Sequence, residues 1–191
     1  MSKPSESIEQ IRRQFDFGPY PKIPLEKTPK EDQTFNDLFI HNLATPYYLK
    51  YQKVIESEGK VILDAGCGSG YKALCLAEAN PGAKIVGVDL SPKSVDLAKK
   101  RLDYHGFKDA EFYALALEEV ANLGMQFDYI NCDETLYLTD DPVVALKAMQ
   151  STLTPDGIIR SNLHSIYNRG PIYRMQELFQ RMGLMDDNPE D

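Results

Sequence analysis

The sequence predicts an α/β protein built on a doubly wound, mostly parallel sheet, and three observations carry that prediction. Short apolar runs alternate with helical patterns between residues 60 and 165. The first run, Val61-Ile62-Leu63-Asp64, passes through Gly66-x-Gly68-x-Gly70 straight into a helical pattern. The second, Ile85-Val86-Gly87-Val88, ends on Asp89, nineteen residues past Gly70. In a βαβ unit this spacing sets a carboxylate at the tip of the neighbouring strand, where it can accept both hydroxyl protons of a ribose. Glycine at 66, 68 and 70 removes the Cβ atoms that hold a ligand off the backbone. The turn is therefore expected to be a shelf of free N–H groups.

In chain order, residues 1–59 read as an N-terminal arm with capping helices. Ile8, Ile11, Phe15 and Phe17 recur at roughly helical spacing and predict a short amphipathic helix over residues 1–17. Pro19, Pro21, Pro24 and Pro29 then forbid a helix and favour an extended segment. That segment reads as a surface linker, with Tyr20 the contact residue if it lies over the site instead. A helix is expected from Phe35 to about Asn42, and Thr45-Pro46 offers an N-cap and a first-turn proline for the next. Tyr47, Tyr48 and Tyr51 crowd that helix, with Tyr47 and Tyr48 as possible aromatic contacts for a cation.

Residues 60–165 form the expected core. Lys72–Asn80 reads as a buried helix stopped by Pro81-Gly82, and Ser91-Pro92 opens the next helix, with Val95, Ala98 and Leu102 inward and Gly106 as its stop. Ala110–Leu115 and Gln126–Cys132 are the third and fourth strands. Asp141-Pro142 starts a helix with Val143, Leu146 and Leu153 inward, and Thr154–Gly157 turns into a fifth strand, Ile158–Leu163. Strand order 3-2-1-4-5 would put a site at the carboxyl ends of strands 1 and 4. Residues 166–191 are a C-terminal helix, amphipathic over Pro171–Met182 through Ile172, Met175, Phe179 and Met182, and an acidic tail.

Composition narrows the function. Of 191 residues, 42% are hydrophobic, enough for one sizeable core. No run approaches the ~18 apolar residues of a membrane span, and cytoplasmic residence is the default expectation. Cys67, Cys75 and Cys132 lack metal-ligand spacing, and His41, His105 and His164 are far apart in sequence, so no metal is expected. Residues 1–60 hold nine Lys/Arg and nine Asp/Glu, whereas residues 61–191 hold twelve and twenty, so the part of the chain from residue 61 onward carries the whole net charge of -8. Such a field repels a phosphate backbone, and nucleic acid is not an expected partner.

The glycine pattern departs from the dinucleotide fingerprint G-x-G-x-x-G, because the third glycine comes one residue early. Asp64, two residues before the first glycine, would repel a pyrophosphate and welcome an ammonium or sulfonium. Asp64-x-Gly66-Cys67-Gly68-x-Gly70 followed by Asp89 closely resembles the class I S-adenosylmethionine-dependent methyltransferases, over about residues 60–165. The resemblance implies a Rossmann-like fold, with this chain lacking the family's last two strands, and S-adenosylmethionine as cofactor. It places the backbone of Gly66, Cys67, Gly68 and Gly70 against the methionine part, with Asp64 near its ammonium and Cys132 beside it. It assigns Asp89 to the ribose hydroxyls and Leu90 to the adenine ring. The family's adenine-binding acid falls here on Ala116, which cannot accept, leaving Leu117 to give an N–H and Glu118 as a substitute acid.

Strand four ends in Asn131-Cys132-Asp133-Glu134 and not in the Pro-Pro tetrapeptide of enzymes that methylate nucleic-acid amines, which favours a small organic acceptor. Asp133, Glu134 and Tyr137 would lie toward that acceptor. Methyl transfer needs alignment first and a base only where the acceptor must lose a proton. Glu134 is the first candidate base, Tyr137 the second and His164 the third. The rival expectations are a non-catalytic S-adenosylmethionine-binding module and a nicotinamide-dependent oxidoreductase.

Overall fold

The computed structural model describes residues 6–31 and 36–184. Strands β1 (Val61–Ala65), β2 (Lys84–Asp89), β3 (Glu111–Ala114), β4 (Phe127–Cys132) and β5 (Leu153–Ser161) form one sheet in the order β3-β2-β1-β4-β5. Every neighbouring pair is parallel. The order reverses between β1 and β4, as expected from the sequence, and opens a crevice at their carboxyl ends.

Period-two alternation splits each strand between two cores. Ile62, Ile85 and Tyr129 point to one face, where Ala73, Leu74 and Leu76 of α4 (Tyr71–Ala79) and Leu102 of α5 (Pro92–Tyr104) cover them. Leu63, Val86 and Ile130 point to the other, packing with Val120 and with Ala145 and Met149 of α6 (Pro142–Ser151). Each such side chain contributes roughly 1.5–3 kcal/mol of burial, against ~0–1 kcal/mol for an exposed ion pair. The sheet and its two covers therefore hold the crevice in shape.

Caps set the helix starts. Ser91 Oγ accepts from Ser94 N at 3.1 Å, and Asp141 Oδ1 from Val143 N at 2.8 Å. Below the sheet's amino end, buried Asn80 accepts from Leu43 N at 2.7 Å and donates to His41 O at 2.9 Å. Those bonds tie α2 (Asn36–His41) and α3 (Ala44–Tyr51) to the end of α4.

Several boundaries and faces differ from expectation. On α6, Val143 and Leu146 are exposed, and the buried residues are Ala145 and Met149. The small Ala145 lets the helix close on the 3₁₀ turn Leu117–Leu123, and that contact fixes its rotation. Leu153 belongs to β5, opposite Phe127, and Thr154–Gly157 is an irregularity within that strand instead of a turn before it. Pro155 is tolerated there because β5 is an edge strand with a register shift. Helix α3 starts at Ala44 with Leu43 as an uncapped N-cap, and Thr45 Oγ1 donates instead to Phe39 O at 3.0 Å. Helix α7 (Ile166–Arg181) starts before Pro171 and has no buried residue. Phe35 and the acidic tail from Asp186 lie outside the described residues.

Candidate functional site

The glycine turn is built largely by the protein's own contacts. Gly66, Gly68 and Gly70 have φ of +82°, +50° and +82°, a region that L side chains rarely adopt. A Cβ on Gly70 would lie 2.5 Å from Ala98 Cα, so this glycine lets α4 and α5 meet. A Cβ on Gly66 would strike the Thr135 side chain, and one on Gly68 the carbonyl oxygen of Tyr20. All five N–H groups of the turn are engaged. Gly66 and Cys67 donate to Val88 O, Ser69 to Tyr20 O and Gly70 to Cys67 O, at 2.8–2.9 Å. Gly68 N donates to Asp89 Oδ2 at 2.9 Å. The expected shelf of free N–H groups is therefore absent from this turn, and with it the anion nest that a pyrophosphate needs.

The proline-rich segment is docked, not a free linker. Ser69 Oγ donates to Pro21 O at 2.7 Å, beside the Ser69–Tyr20 bond. Arg101 of α5, fully buried, donates to Ser69 O at 3.0 Å, Pro24 O at 2.8 Å and Ile23 O at 2.7 Å. His105 Nε2 lies 2.9 Å from Leu25 O. Helix α1 (Glu6–Phe17) follows the same course: Ser91 Oγ donates to Asp16 Oδ1 at 2.6 Å, fixing α1 across the start of α5.

These elements enclose a cleft of about 720 Å³ over the carboxyl ends of β1, β2 and β4. Its outer wall is Ile8, Ile11, Phe15, Tyr20, Pro21 and Ile23, from α1 and the arm. Gly66, Cys67 and Gly68 line its floor, and Asp89, Leu90, Ala116, Leu117 and Glu118 one end. Asp89 is held by Ser91 N at 2.9 Å on Oδ1 as well as by Gly68 N on Oδ2. Burial pushes its carboxyl up, with those N–H bonds opposing.

Behind the floor a buried polar group spans β1 and β4 and reaches the cleft lining at Asp133. Asn131 Nδ2 donates to Asp64 Oδ1 at 3.0 Å, and Arg160 donates to Asn131 Oδ1 and Asp133 Oδ2, both at 2.9 Å. His41 Nδ1 lies 2.6 Å from Asp37 O, and its Nε2 lies 3.6 Å from Asp133 Oδ2. Asp64 Oδ2 and Asp133 Oδ1 have no hydrogen-bond partner among the described residues. Burial raises the Asp64 carboxyl to about 6 despite the Asn131 bond. For Asp133 burial also pushes up, but His41 and Arg160 outweigh it and the carboxyl sits below its usual range.

At the opposite end of the cleft, Glu134 has φ +58° and its N–H donates to Asn162 Oδ1 at 2.7 Å. Tyr137 OH donates to Glu134 Oε2 at 2.9 Å, Asn162 Nδ2 donates to Oε1, and His164 Nε2 lies 2.8 Å from Oε2. Burial opposes ionisation of Glu134, yet these donors hold it below the usual carboxylate range. The Tyr137 hydroxyl is pushed up to about 12 by burial and by its bond to Glu134. Arg169 Nη2 reaches His164 Nε2 at 2.5 Å.

A family profile described as a methyltransferase domain matches residues 56–190. The chain belongs to that family. An uncharacterized Synechococcus protein is 30% identical over 91% of this chain and 41% of its own length. A tRNA U34 carboxymethyltransferase of Campylobacter lari is 30% identical over 67% and 41%. A ubiquinone biosynthesis O-methyltransferase of Actinobacillus pleuropneumoniae is 30% identical over 62% and 52%. The chain thus spans about two fifths to one half of these relatives. The solved structure of PKMT2 from Rickettsia typhi in complex with AdoHcy superposes with a TM-score of 0.56 at 29% identity, over 65% of this chain and 25% of that one. The sheet is the class I methyltransferase fold.

Within that family fold, the sequence-derived residues divide. Gly66, Cys67, Gly68, Asp89, Leu90, Leu117, Glu134 and Tyr137 line the cleft. Asp64, Gly70 and Cys132 do not: Asp64 and Cys132 sit behind the floor, and Gly70 packs against α5. Glu118 faces the cleft beside Ala116, whereas Glu119 is exposed. Tyr47 and Tyr48 are elsewhere; buried Tyr47 donates to Asp128 O at 3.0 Å, at the start of β4 and away from the crevice. Sequence reasoning missed Arg101, Arg169 and the cleft face of α1, although the Ile8, Ile11, Phe15 stripe was its signal. The exclusion of nucleic acid does not carry over, since one relative's name specifies tRNA. No helix among the described residues is long and apolar enough to cross a membrane.

Proposed function

We propose that this protein binds S-adenosylmethionine in the cleft and transfers its methyl group to a small organic acceptor. The observation that carries the reading is the combination of Asp89 at the tip of β2 with two half-partnered carboxylates, Asp133 on the cleft lining and Asp64 buried behind the glycine floor. A ribose needs the first. An ammonium fits the second, because a buried carboxylate oxygen without a donor is costly until a cation or donor reaches it. With every N–H of the glycine turn already bonded, a sulfonium cofactor suits this floor better than a pyrophosphate. The cofactor, when bound, supplies an electrophilic methyl on a positively charged sulfur.

The chain's own contribution is alignment and, for a hydroxyl acceptor, proton removal. Glu134 accepts from Tyr137 and Asn162 and lies against His164, so its carboxylate is too stabilised to be the first base. His164 takes that role, with Glu134 positioned to stabilise the imidazolium. The acid and apolar lining, with Lys72 and Arg169 its only cations among the described residues, favours a small molecule over a polyphosphate chain.

Calorimetric titration with S-adenosylmethionine, S-adenosylhomocysteine and NAD in parallel tests the cofactor. Both adenosyl compounds are expected to bind and NAD not; binding of NAD alone overturns the reading. Asp89→Ala is expected to weaken adenosyl binding tenfold or more, about 1.4 kcal/mol. A folded variant with unchanged affinity would remove Asp89 from the ribose. A non-catalytic binding module is the second reading, and Ala116 in place of the adenine acid favours it. Formation of S-adenosylhomocysteine with any hydroxyl acceptor, or with tRNA, separates the two.

A further inference from the structure

We propose that the methyl acceptor carries a carboxylate that pairs with Arg169, and that this pairing frees His164 to act as base. The inference rests on the methyl-transfer reading and goes beyond it by naming a substrate class.

Arg169 lines the cleft, half-buried, and makes no ion pair with a carboxylate among the described residues. The other lining cation, Lys72, is close enough to Asp64 and Asp133 to favour the ionised form of each, against the burial that still leaves Asp64 raised. Arg169 meets a carboxylate only across His164, whose Nε2 stands between its guanidinium and Glu134. A partly desolvated guanidinium is best completed by a planar monoanion, which it binds through two parallel N–H bonds. The cleft lining already holds Asp89, Glu118, Asp133 and Glu134 against two cations. A dianionic phosphate would meet repulsion that a carboxylate halves.

A second observation concerns one atom. His164 Nε2 lies 2.5 Å from Arg169 Nη2 and 2.8 Å from Glu134 Oε2. The first contact needs a lone pair on that nitrogen and the second needs a proton. With Arg169 on the lone pair, the nitrogen is blocked as a base. His164 does not itself line the cleft but sits behind Arg169 and Glu134, which do, so an acceptor carboxylate drawing the guanidinium away opens Nε2 to the cleft. The acceptor hydroxyl then passes its proton to Nε2, the acceptor oxygen bonds to the methyl carbon, and the carbon–sulfur bond breaks with its electron pair left on sulfur. The imidazolium N–H that results faces Glu134, so proton and charge are both accommodated. Arg169 is thereby a specificity-determining residue.

The test is calorimetric and does not depend on turnover. The S-adenosylhomocysteine complex is titrated with hexanoate, benzoate and 4-hydroxyphenylacetate, with the methyl ester of each, and with 4-hydroxyphenyl phosphate. At least one carboxylate is expected to bind tenfold or more tightly than its ester. Arg169→Gln is expected to abolish that difference while leaving S-adenosylhomocysteine affinity within twofold, and Arg169→Lys to restore part of it. Equal binding of acid and ester, no binding of any carboxylate, tighter binding of the phosphate, or discrimination that survives Arg169→Gln would each overturn the proposal alone. Failure of the wild-type protein to bind S-adenosylhomocysteine would take down the cofactor reading as well. For any carboxylate that is turned over, His164→Gln is expected to lower kcat at least tenfold with unchanged KM, and an unchanged kcat removes His164 as base.

Discussion

Asp64 is fully buried with one oxygen unpartnered, and its carboxyl is raised to about 6 where an unfolded chain gives ~3.9. The folded state thus holds a proton more tightly than the unfolded one. Its contribution to stability is complete below about pH 4 and is lost as pH rises through 6, a loss of roughly 3 kcal/mol. Asp64→Asn keeps an acceptor for Asn131 and removes the charge. The variant is expected to gain stability over the wild type as pH rises from 4 to 7, read as diverging denaturant midpoints of the ligand-free proteins. Parallel curves would show that Asp64 does not titrate in that range. Asp89, Glu134 and Tyr137 could be placed from sequence because each follows the end of a strand, and strand ends meet at the crevice. Asp64 does not line the cleft, and the sequence does not show that its side chain is turned into the sheet. Its neighbour across the sheet, Asn131, turns it inward, and such a pairing depends on which strands adjoin.

Among the elements, the arm shows how a local rule can be right and incomplete. Four prolines keep residues 19–29 out of an α-helix, the last opening the 3₁₀ turn Pro29–Glu31, but only the fold brings Arg101 beneath them. Arg101 lies on α5 between Ala98 and Leu102, positions that read simply as the buried side of an amphipathic helix. Its guanidinium is satisfied by carbonyls of Ser69, Ile23 and Pro24, so it joins the glycine turn to the arm without a carboxylate partner. Arg101→Ala leaves those carbonyls unpaired and is expected to cost about 2–3 kcal/mol. Trypsin cleavage after Lys22 should then rise sharply, while the strand core stays protected. Arg101→Lys, with one ammonium in place of a planar fork, should recover only part of the loss. Cleavage at wild-type rate in Arg101→Ala would mean that the arm is held by other contacts. Helix α6 shows the opposite case. Its cap was legible at Asp141-Pro142, yet its inward face was not, because the small Ala145 sits against the Leu117–Leu123 turn and lets Val143 and Leu146 point to solvent.

At the scale of the whole molecule, the sheet order followed from the alternation of strands and helices, since right-handed crossovers leave few other arrangements. Enclosure of the cleft did not follow, because it depends on how α1 and the arm fold back over the carboxyl ends of the strands. A ligand that binds the folded cleft and not the unfolded chain links binding to global stability, and the arm adds Tyr20, Pro21 and Ile23 to the wall it meets. S-adenosylhomocysteine at a hundred times its Kd should stabilise the protein by about 2.7 kcal/mol, a rise in Tm of roughly 5–10 °C for a chain of this size. The same ligand concentration applied to Arg101→Ala should give a smaller rise from a lower starting Tm, because its loosened arm weakens binding. An equal rise in both proteins would mean that the arm stabilises the fold without closing on the ligand. A rise in neither would mean that the cleft takes a different molecule.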